Sequence, residues 1–324
     1  MSSIQPSVPT SAAPAGIPAG PKPLVAARLV GVLLAVFGAI AFAGKAIIVK
    51  LSYRYGVDAI TLLALRMAVA LPFFVVIGVV MERKADKRAL ALADWPKIVL
   101  IGFSGYYLAS YLDFVGLAYI TATLERLILY LNPTLVLLIG VFWFKRRVNL
   151  AQLIAMALSY LGVVVALMHD FKLGGSNIML GSAIVFASAI AYALYLVGSG
   201  EMVKRVGALR LTAHASVVAC FFCIAQFLLT RPLGALNLPH QVYNLALING
   251  LACTVLPVFA VMMAIDRIGA TQAAQIGMIG PVSTIVFSWL LLGEAMGPSQ
   301  VVGTLLVLAG VYIVSRSAAS GGAK

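Results

Sequence analysis

The sequence predicts an all-α membrane protein with ten transmembrane helices arranged as two inverted five-helix repeats. Three observations lead there. The 324 residues are 62% hydrophobic and 10% charged, with a mean hydropathy of +1.05, outside the make-up of soluble domains. Ten segments carry the roughly 20 mostly apolar residues that cross a hydrocarbon core. A single alignment register relates the first half of the chain to the second.

The ten segments are 27–50, 58–81, 95–118, 121–144, 148–168, 176–198, 210–230, 241–264, 271–293 and 297–316. They are sustained apolar runs without alternation, which disfavours a membrane β-barrel. The predicted division is a tail at 1–26, a first repeat at 27–168, a second at 176–316 and a tail at 317–324. The Ser-, Pro- and Ala-rich start lacks the basic, then apolar, pattern of a secretory signal and reads as disordered. Cys220 and Cys223 have redox-motif spacing, but they sit inside an apolar run and read, with Cys253, as packing residues.

The formal charge of +13 could suggest nucleic acid. However, the basic residues fall in short clusters between apolar runs, with no interleaved aromatic patch. The charge is better read as topology. With the amino terminus in the cytoplasm, sixteen Lys and Arg lie on the inner side, from Lys22 to Lys324. The outer segments and outer helix ends then hold Lys45, Lys50, Arg54, Lys172 and Arg231. Both termini are predicted to be cytoplasmic.

At an offset of 148 residues, Ile120, Ala122, Thr123, Ile128 and Pro133 meet Ile268, Ala270, Thr271, Ile276 and Pro281. Gly102 meets Gly250, and Gly162 meets Gly310. Five spans per repeat is an odd number, so the second copy enters the membrane upside down. Inverted repeats are a signature of secondary transporters, whose halves rock about a site near the midplane.

Three stretches, "KLSYRYGVDAITLLALRMAVALPFF" (50–74), "GLAYITATLERLILYLNPTLVLL" (116–138) and "LLLGEAMGPSQVVGTLLVLAGVYIV" (290–314), resemble the EamA-type branch of the drug/metabolite transporter superfamily. The resemblance covers about 27–316. It implies two EamA repeats of five helices, and movement of metabolites such as amino acids, or of drugs, mostly outward across the bacterial inner membrane. The family's closing Gly-Glu stands at Gly293 and Glu294, whereas the first copy has Lys145 and Arg146.

Polar residues inside spans are the first candidates for function. On a regular helix, Phe103, Ser104, Tyr106, Tyr107, Ser110, Tyr111, Asp113 and Phe114 of the third span share one half of the wheel. Gly105 and Gly116 fall on the small-residue half, which suits close packing. In the fourth span Thr121, Glu125 and Asn132 lie in line, with Arg126 and Tyr130 alongside. Pro133 frees a backbone carbonyl one turn earlier, near Leu129. The ninth span offers Thr271, Gln272, Gln275 and Met278 before Pro281, with no charge opposite Glu125 and Arg126. Tyr192, Tyr195 and Trp289 are further candidate cavity walls.

The predicted substrate-binding set is therefore Tyr107, Tyr111, Asp113, Glu125, Arg126, Tyr130, Asn132, Gln275 and Met278. Proton coupling or gating is assigned to Glu125, His214, Arg66, Pro133 and Pro281. An ion pair of Glu125 with Arg126 or Arg66 is the simpler structural alternative. No catalytic residue, cofactor or metal is expected, and the absence of a Gly-x-x-x-x-Gly-Lys-Ser/Thr loop argues against ATP. The expected partners are a small-molecule substrate and the lipid bilayer, without nucleic acid. The rival readings are an intramembrane serine protease, because Gly102 to Gly105 form a Gly-x-Ser-Gly pattern around Ser104 with His214 as a base, and a non-transporting membrane scaffold.

Overall fold

The computed structural model describes residues 22–84, 90–145, 148–172, 177–294 and 297–321. Among them there are helices and turns but no strand. Most of the predicted amino-terminal tail, and the basic residues Lys87, Arg88, Arg146 and Arg147, lie outside the described residues. The first helix begins at Lys22 and the last runs to Gly321, both reaching into segments expected to be tails.

Ten helical segments follow in order: α1 (Lys22–Tyr53), α2 (Ala59–Lys84), α3 (Leu92–Leu117), α4 (122–144), α5 (Leu150–Lys172), α6 (Ile178–Val206), α7 (Ala208–Thr230), α8 (His240–Ile268), α9 (270–292) and α10 (Pro298–Gly321). Nine contain a stretch long and apolar enough to span a bilayer, and α10 contributes the shorter apolar helix Pro298–Val314. Alternating direction puts the 54–58, 118–121 and 231–239 turns at one end of the bundle. That end is called distal here, and the end bearing the first residues of α1 is called proximal.

Local chemistry sets the boundaries. Gly56 takes φ +78° in the turn after α1, a region that costs a side chain strain. Asp58 then opens α2, its carboxylate accepting from the Ile60 and Thr61 amides and the Thr61 hydroxyl, as a helix-start residue does. The Thr121 hydroxyl accepts from Leu124 N at 3.2 Å and caps α4. Lys145 after α4 and Gly293 after α9 both adopt the left-handed conformation, at φ 52° and 70°. These two positions are 148 residues apart, so the backbone keeps the repeat even where the family's Gly-Glu is replaced by lysine.

Two further devices recur in register. A π-helical turn at Gly102–Leu108 in α3 is matched by one at Leu251–Val255 in α8. A break at Tyr130 and Leu131 in α4 is matched by one at Met278 in α9. In both cases the cause of the break is a proline two or three residues later, which cannot donate to the carbonyl four residues before it.

The halves interlock about a pseudo-twofold axis. The helix pairs α1 with α8, α3 with α6, α2 with α7 and α5 with α10 make the principal contacts, and the repeat maps each pair onto itself or onto another of the four. Between α5 and α10, a Cβ on Gly162 would stand 2.6 Å from the Gly303 carbonyl oxygen, and one on Gly310 would stand 2.5 Å from that of Ala155. The two contacts are images of each other at the offset of 148. In α3, a Cβ on Gly102 would meet the Ala215 carbonyl at 2.6 Å, and one on Gly105 would run into the Tyr195 ring. The predicted packing role of α3's small residues is therefore met against α6 and α7, where close backbone approach supplies van der Waals contact that lipid cannot.

Asp58 also receives Arg231 Nε at 3.1 Å, tying α2 to the end of α7. Burial raises the Asp58 pKa, but the bonds from Thr61 and the charge of Arg231 outweigh it, leaving the carboxyl below its ordinary value. Stability from this group is present above the ordinary carboxylate range and lost as pH falls through the depressed value. Asp58→Ala is expected to lower stability by about 1 kcal/mol at neutral pH, with a smaller difference in acid, measured by thermal unfolding in detergent at both pH values.

Candidate functional site

The densest polar feature of the interior is a charge cluster in the distal half of the bundle. Lys45 of α1 donates to Asp113 Oδ2 of α3 at 2.5 Å and lies 3.5 Å from Glu125 Oε1 of α4. Glu125 has no exposed surface, and Asp113 is 2% exposed. Arg126 approaches Glu125 at 4.0 Å, and its other bonds run to the Phe42 carbonyl of α1 at 2.6 Å and the Thr284 hydroxyl of α9 at 3.2 Å. Four helices from both repeats thus share one network.

Lys45 was expected among the outer charges, but it pairs inside the bundle. The reason is that α1 continues eight residues beyond it to Tyr53. The signal was present in the sequence, since Lys45 is flanked by Ala43, Gly44 and the run Ala46 to Val49. As for the simpler pairing expected for Glu125, Arg126 is present at its edge, Lys45 is nearer, and Arg66 makes no ion pair among the described residues.

The predicted polar-aromatic face of α3 divides three ways. Tyr106 turns to α6 and α7, its hydroxyl 3.0 Å from that of Tyr195 and 3.5 Å from Thr212 Oγ1. Phe103 and Tyr107 pack on Phe222 of α7 at 5.2 and 5.5 Å, and Tyr107 stacks on Tyr111 with 8° between planes. Asp113 turns to α1. The π-helical turn explains the division, because its wider winding changes the angular register between Phe103 and Asp113 from the regular 100° per residue.

The helix breaks face each other. Pro281 leaves the Gly277 carbonyl without its helical donor, and the Tyr130 hydroxyl, at the break in α4, donates to that oxygen at 2.5 Å. Gly280 makes room, since a Cβ there would stand 2.6 Å from the Tyr130 oxygen. Asn132 is half-buried beside the break, with its Oδ1 unpartnered. Gln275 and Met278 are half-buried on the α9 side. The side chain of Thr271 lies outside the described residues.

Charged links between the repeats close both ends. Distally, Lys50 lies 3.9 Å from Glu294, and Arg54 donates to the Leu292 carbonyl at 2.6 Å. Burial raises the Glu294 pKa, opposed by Lys50 and by hydrogen bonds from Ser288 and the Ala122 amide. Asp170 of α5, which sequence reasoning passed over, accepts from both the amide and the hydroxyl of Thr121 at 2.9 Å. Proximally, Arg210 of α7 donates to Glu82 of α2, and Arg205 of α6 pairs with Asp94 at the start of α3. His214 joins the proximal group, with Nε2 3.3 Å from Glu82 and Nδ1 2.9 Å from the Arg210 carbonyl.

Ser104 and His214 do not form a catalytic pair. The Ser104 hydroxyl meets its own helix at the Ile101 carbonyl, at 3.5 Å, while both His214 nitrogens face other acceptors. The three cysteines are buried and free, and Cys220 packs on the Met67 sulfur at 3.9 Å. Tyr192 packs on Tyr195 in α6 with ring centres 5.2 Å apart and 36° between planes, and Trp289 is exposed on α9.

The model of the EamA-like transporter family matches residues 29–168 and again 179–316, which between them hold the paired breaks and the paired π turns. The chain belongs to this family. It is 30% identical over 286 residues to the uncharacterized transporter YcbK of Bacillus subtilis, covering 84% of this chain and 88% of that one. It is 27% identical over 271 residues to an uncharacterized transporter of Archaeoglobus fulgidus, covering 83% and 92%. A solved structure described as "Crystal structure of protein" superposes with a TM-score of 0.61 at 17% identity, over 91% of this chain and 98% of that one. That likeness supports the fold. The protein is thus a multi-pass membrane protein of a transporter family, with homologues named as transporters.

Lys45 balances two buried carboxylates, and removing one member of a buried ion group leaves charge uncompensated. Lys45→Met is expected to cost about 3 to 5 kcal/mol. Adding Asp113→Asn should recover part of that loss, and non-additive melting temperatures across the double-mutant cycle are the measurement.

Proposed function

We propose that the protein is a secondary transporter that exports a small amphipathic metabolite, such as an amino acid or related compound, by alternating access. Its place is the bacterial inner membrane, with both termini cytoplasmic, as the distribution of Lys and Arg favours. The observation that carries the reading is the meeting of two proline-broken helices, one from each repeat, beside a buried charge cluster. Broken helices at a repeat interface release backbone groups and dipole ends toward a midplane site, and intramembrane ionisable groups mark solute and proton paths.

Each repeat-crossing link has a part in this cycle. Opening the distal side separates Lys50 from Glu294 and Arg54 from Leu292. Opening the proximal side separates Arg210 and His214 from Glu82, and Arg205 from Asp94. A shallow distal cleft of about 330 Å³, lined by Lys50, Tyr53, Arg54, Leu117, Ala118, Leu292 and Glu294, sits over the first set. Tyr107 and Tyr111 supply a stacking wall, Asn132, Gln275 and Met278 supply polar and soft contacts beside the breaks, and Pro133 and Pro281 supply the hinges. Lys45 lies between two carboxylates, so protonation of Glu125 lets it settle on Asp113 alone. That exchange provides a means of coupling proton movement to rearrangement of α1 against α4.

Counterflow of radiolabelled solutes in proteoliposomes tests the reading. Exchange of at least one member of a broad amino-acid and nucleobase panel is expected, and a panel without exchange or binding would sink it. Glu125→Gln is expected to abolish the response to a proton gradient while preserving solute counterflow. Gradient-driven flux that persists in the mutant removes Glu125 from coupling. A second prediction concerns the breaks: Tyr130→Phe leaves the Gly277 carbonyl unpaired, and should slow exchange without changing the solutes recognised.

A further inference from the structure

Arg66 of α2 stands outside the ion pairs formed by Lys45, Arg126, Asp113 and Glu125. Lys45 lies between Asp113 and Glu125, and Arg126 approaches Glu125. Lys45 and Arg126 are engaged with those carboxylates. Arg66 of α2 is not. It is 6% exposed and makes no ion pair among the described residues, and its Nη1 has no hydrogen-bond partner. Its fixed contacts are neutral: Nε donates to Thr254 Oγ1 at 2.8 Å, and the guanidinium sits 5.3 Å from the Phe114 ring centre. Asp113 acts on Arg66 only through space and is already bonded to Lys45. A guanidinium withdrawn from water with a donor left unpaired is unfavourable, and its planar fork matches a carboxylate.

The surroundings of Arg66 carry further unused polarity. Thr254 belongs to the π-helical turn of α8, and its hydroxyl donates onward to the Asn249 carbonyl at 2.7 Å. The Asn249 side chain is wholly buried, and neither its oxygen nor its nitrogen has a partner. Such turns concentrate at functional positions, and buried polar groups left unpaired call for a missing partner. Cys223 stands within electrostatic range of both Arg66 and Tyr107. The stacked Tyr107 and Tyr111 of α3 pack against the same hydrophobic cluster as Met67 of α2.

We propose that Arg66, with Thr254 fixing its Nε and Asn249 one hydrogen bond further along, is the binding site for the carboxylate of the transported molecule, whose apolar part lies along Tyr107 and Tyr111. This restricts the transporter reading, on which it rests, to solutes bearing a carboxylate. The solute's carboxylate then supplies the acceptor that the Arg66 Nη1 lacks. A bound chloride would meet the same requirement and is the rival occupant to separate by experiment.

The test uses full-length protein in nanodiscs, with acetate, 3-phenylpropionate and L-phenylalanine as carboxylates, and 3-phenylpropionamide and 3-phenylpropylamine as controls. At least one carboxylate is expected to bind, and 3-phenylpropionate to bind at least about tenfold more tightly than its amide. Arg66→Gln should remove that preference, and Arg66→Lys should restore it in part. Should Arg66→Gln fail to fold, the carboxylate-to-amide ratio on the wild type and on Thr254→Val, which keeps the charge and frees Nε, decides the matter. The ratio should fall in Thr254→Val.

Binding of amide or amine as tight as that of the carboxylate overturns the inference. So does the absence of carboxylate binding, or chloride binding that no carboxylate displaces. Counterflow separates the two readings. Exchange of neutral or cationic solutes that ignores Arg66→Gln keeps the transporter and discards the carboxylate site. Arg66-dependent carboxylate binding without any exchange keeps the site and discards transport.

Discussion

A backbone inside a membrane must satisfy its own polar groups, and the architecture turns on two places where a helix breaks before a proline. Pro133 and Pro281 each withhold a donor from the helix that contains them. The orphaned Gly277 carbonyl in α9 is met by Tyr130, which stands at the corresponding break in α4. A defect in one repeat is thus repaired by a side chain at the defect of the other, and this repair joins the halves near their pseudo-symmetry axis. The neighbouring bonds of Arg126 to α1 and α9 extend the same junction.

Around this junction the interior is asymmetric, although the backbone is not. Breaks, π turns and left-handed helix ends all repeat at 148 residues. The charges do not: Glu125 and Arg126 have alanines as counterparts in α9, and Arg66 has His214. His214 is engaged with the proximal Glu82 link, whereas Arg66 faces the α8 π turn and makes no ion pair among the described residues. One scaffold used twice therefore supplies paired helix breaks, and the side chains around them differ between the two copies. That combination suits a molecule with a charged end and an apolar end.

Much of this was legible in the sequence, and the misses have identifiable causes. Apolar run length and the repeat offset were enough for ten spans and their inversion, because burial in lipid leaves little freedom in helix length. Proline chemistry predicted a disturbed turn before Pro133, and α4 breaks at Tyr130 and Leu131. The α3 face was drawn as one stripe on a regular wheel, and the π turn at Gly102–Leu108 divides it among α1, α6 and α7. No residue pattern announces that turn. Lys45 was assigned to the outer helix end because α1 was ended three residues early, although its flanks were apolar on both sides.

The sequence by itself determined that the chain crosses a membrane in two antiparallel copies of one unit, because hydropathy, loop charge and repeat register are properties of composition and order. It also marked Asp113, Glu125, Arg126 and Arg66 as unusual, since ionisable groups are rare where water is absent. Which of these form ion pairs, and which does not, was decided by tertiary structure. Lys45 reaches Asp113 and Glu125 from a helix 68 residues earlier than the first of them. Partnership in a low-dielectric interior depends on ångström distances between separate helices, and those distances are fixed by glycine contacts, π turns and helix breaks acting together.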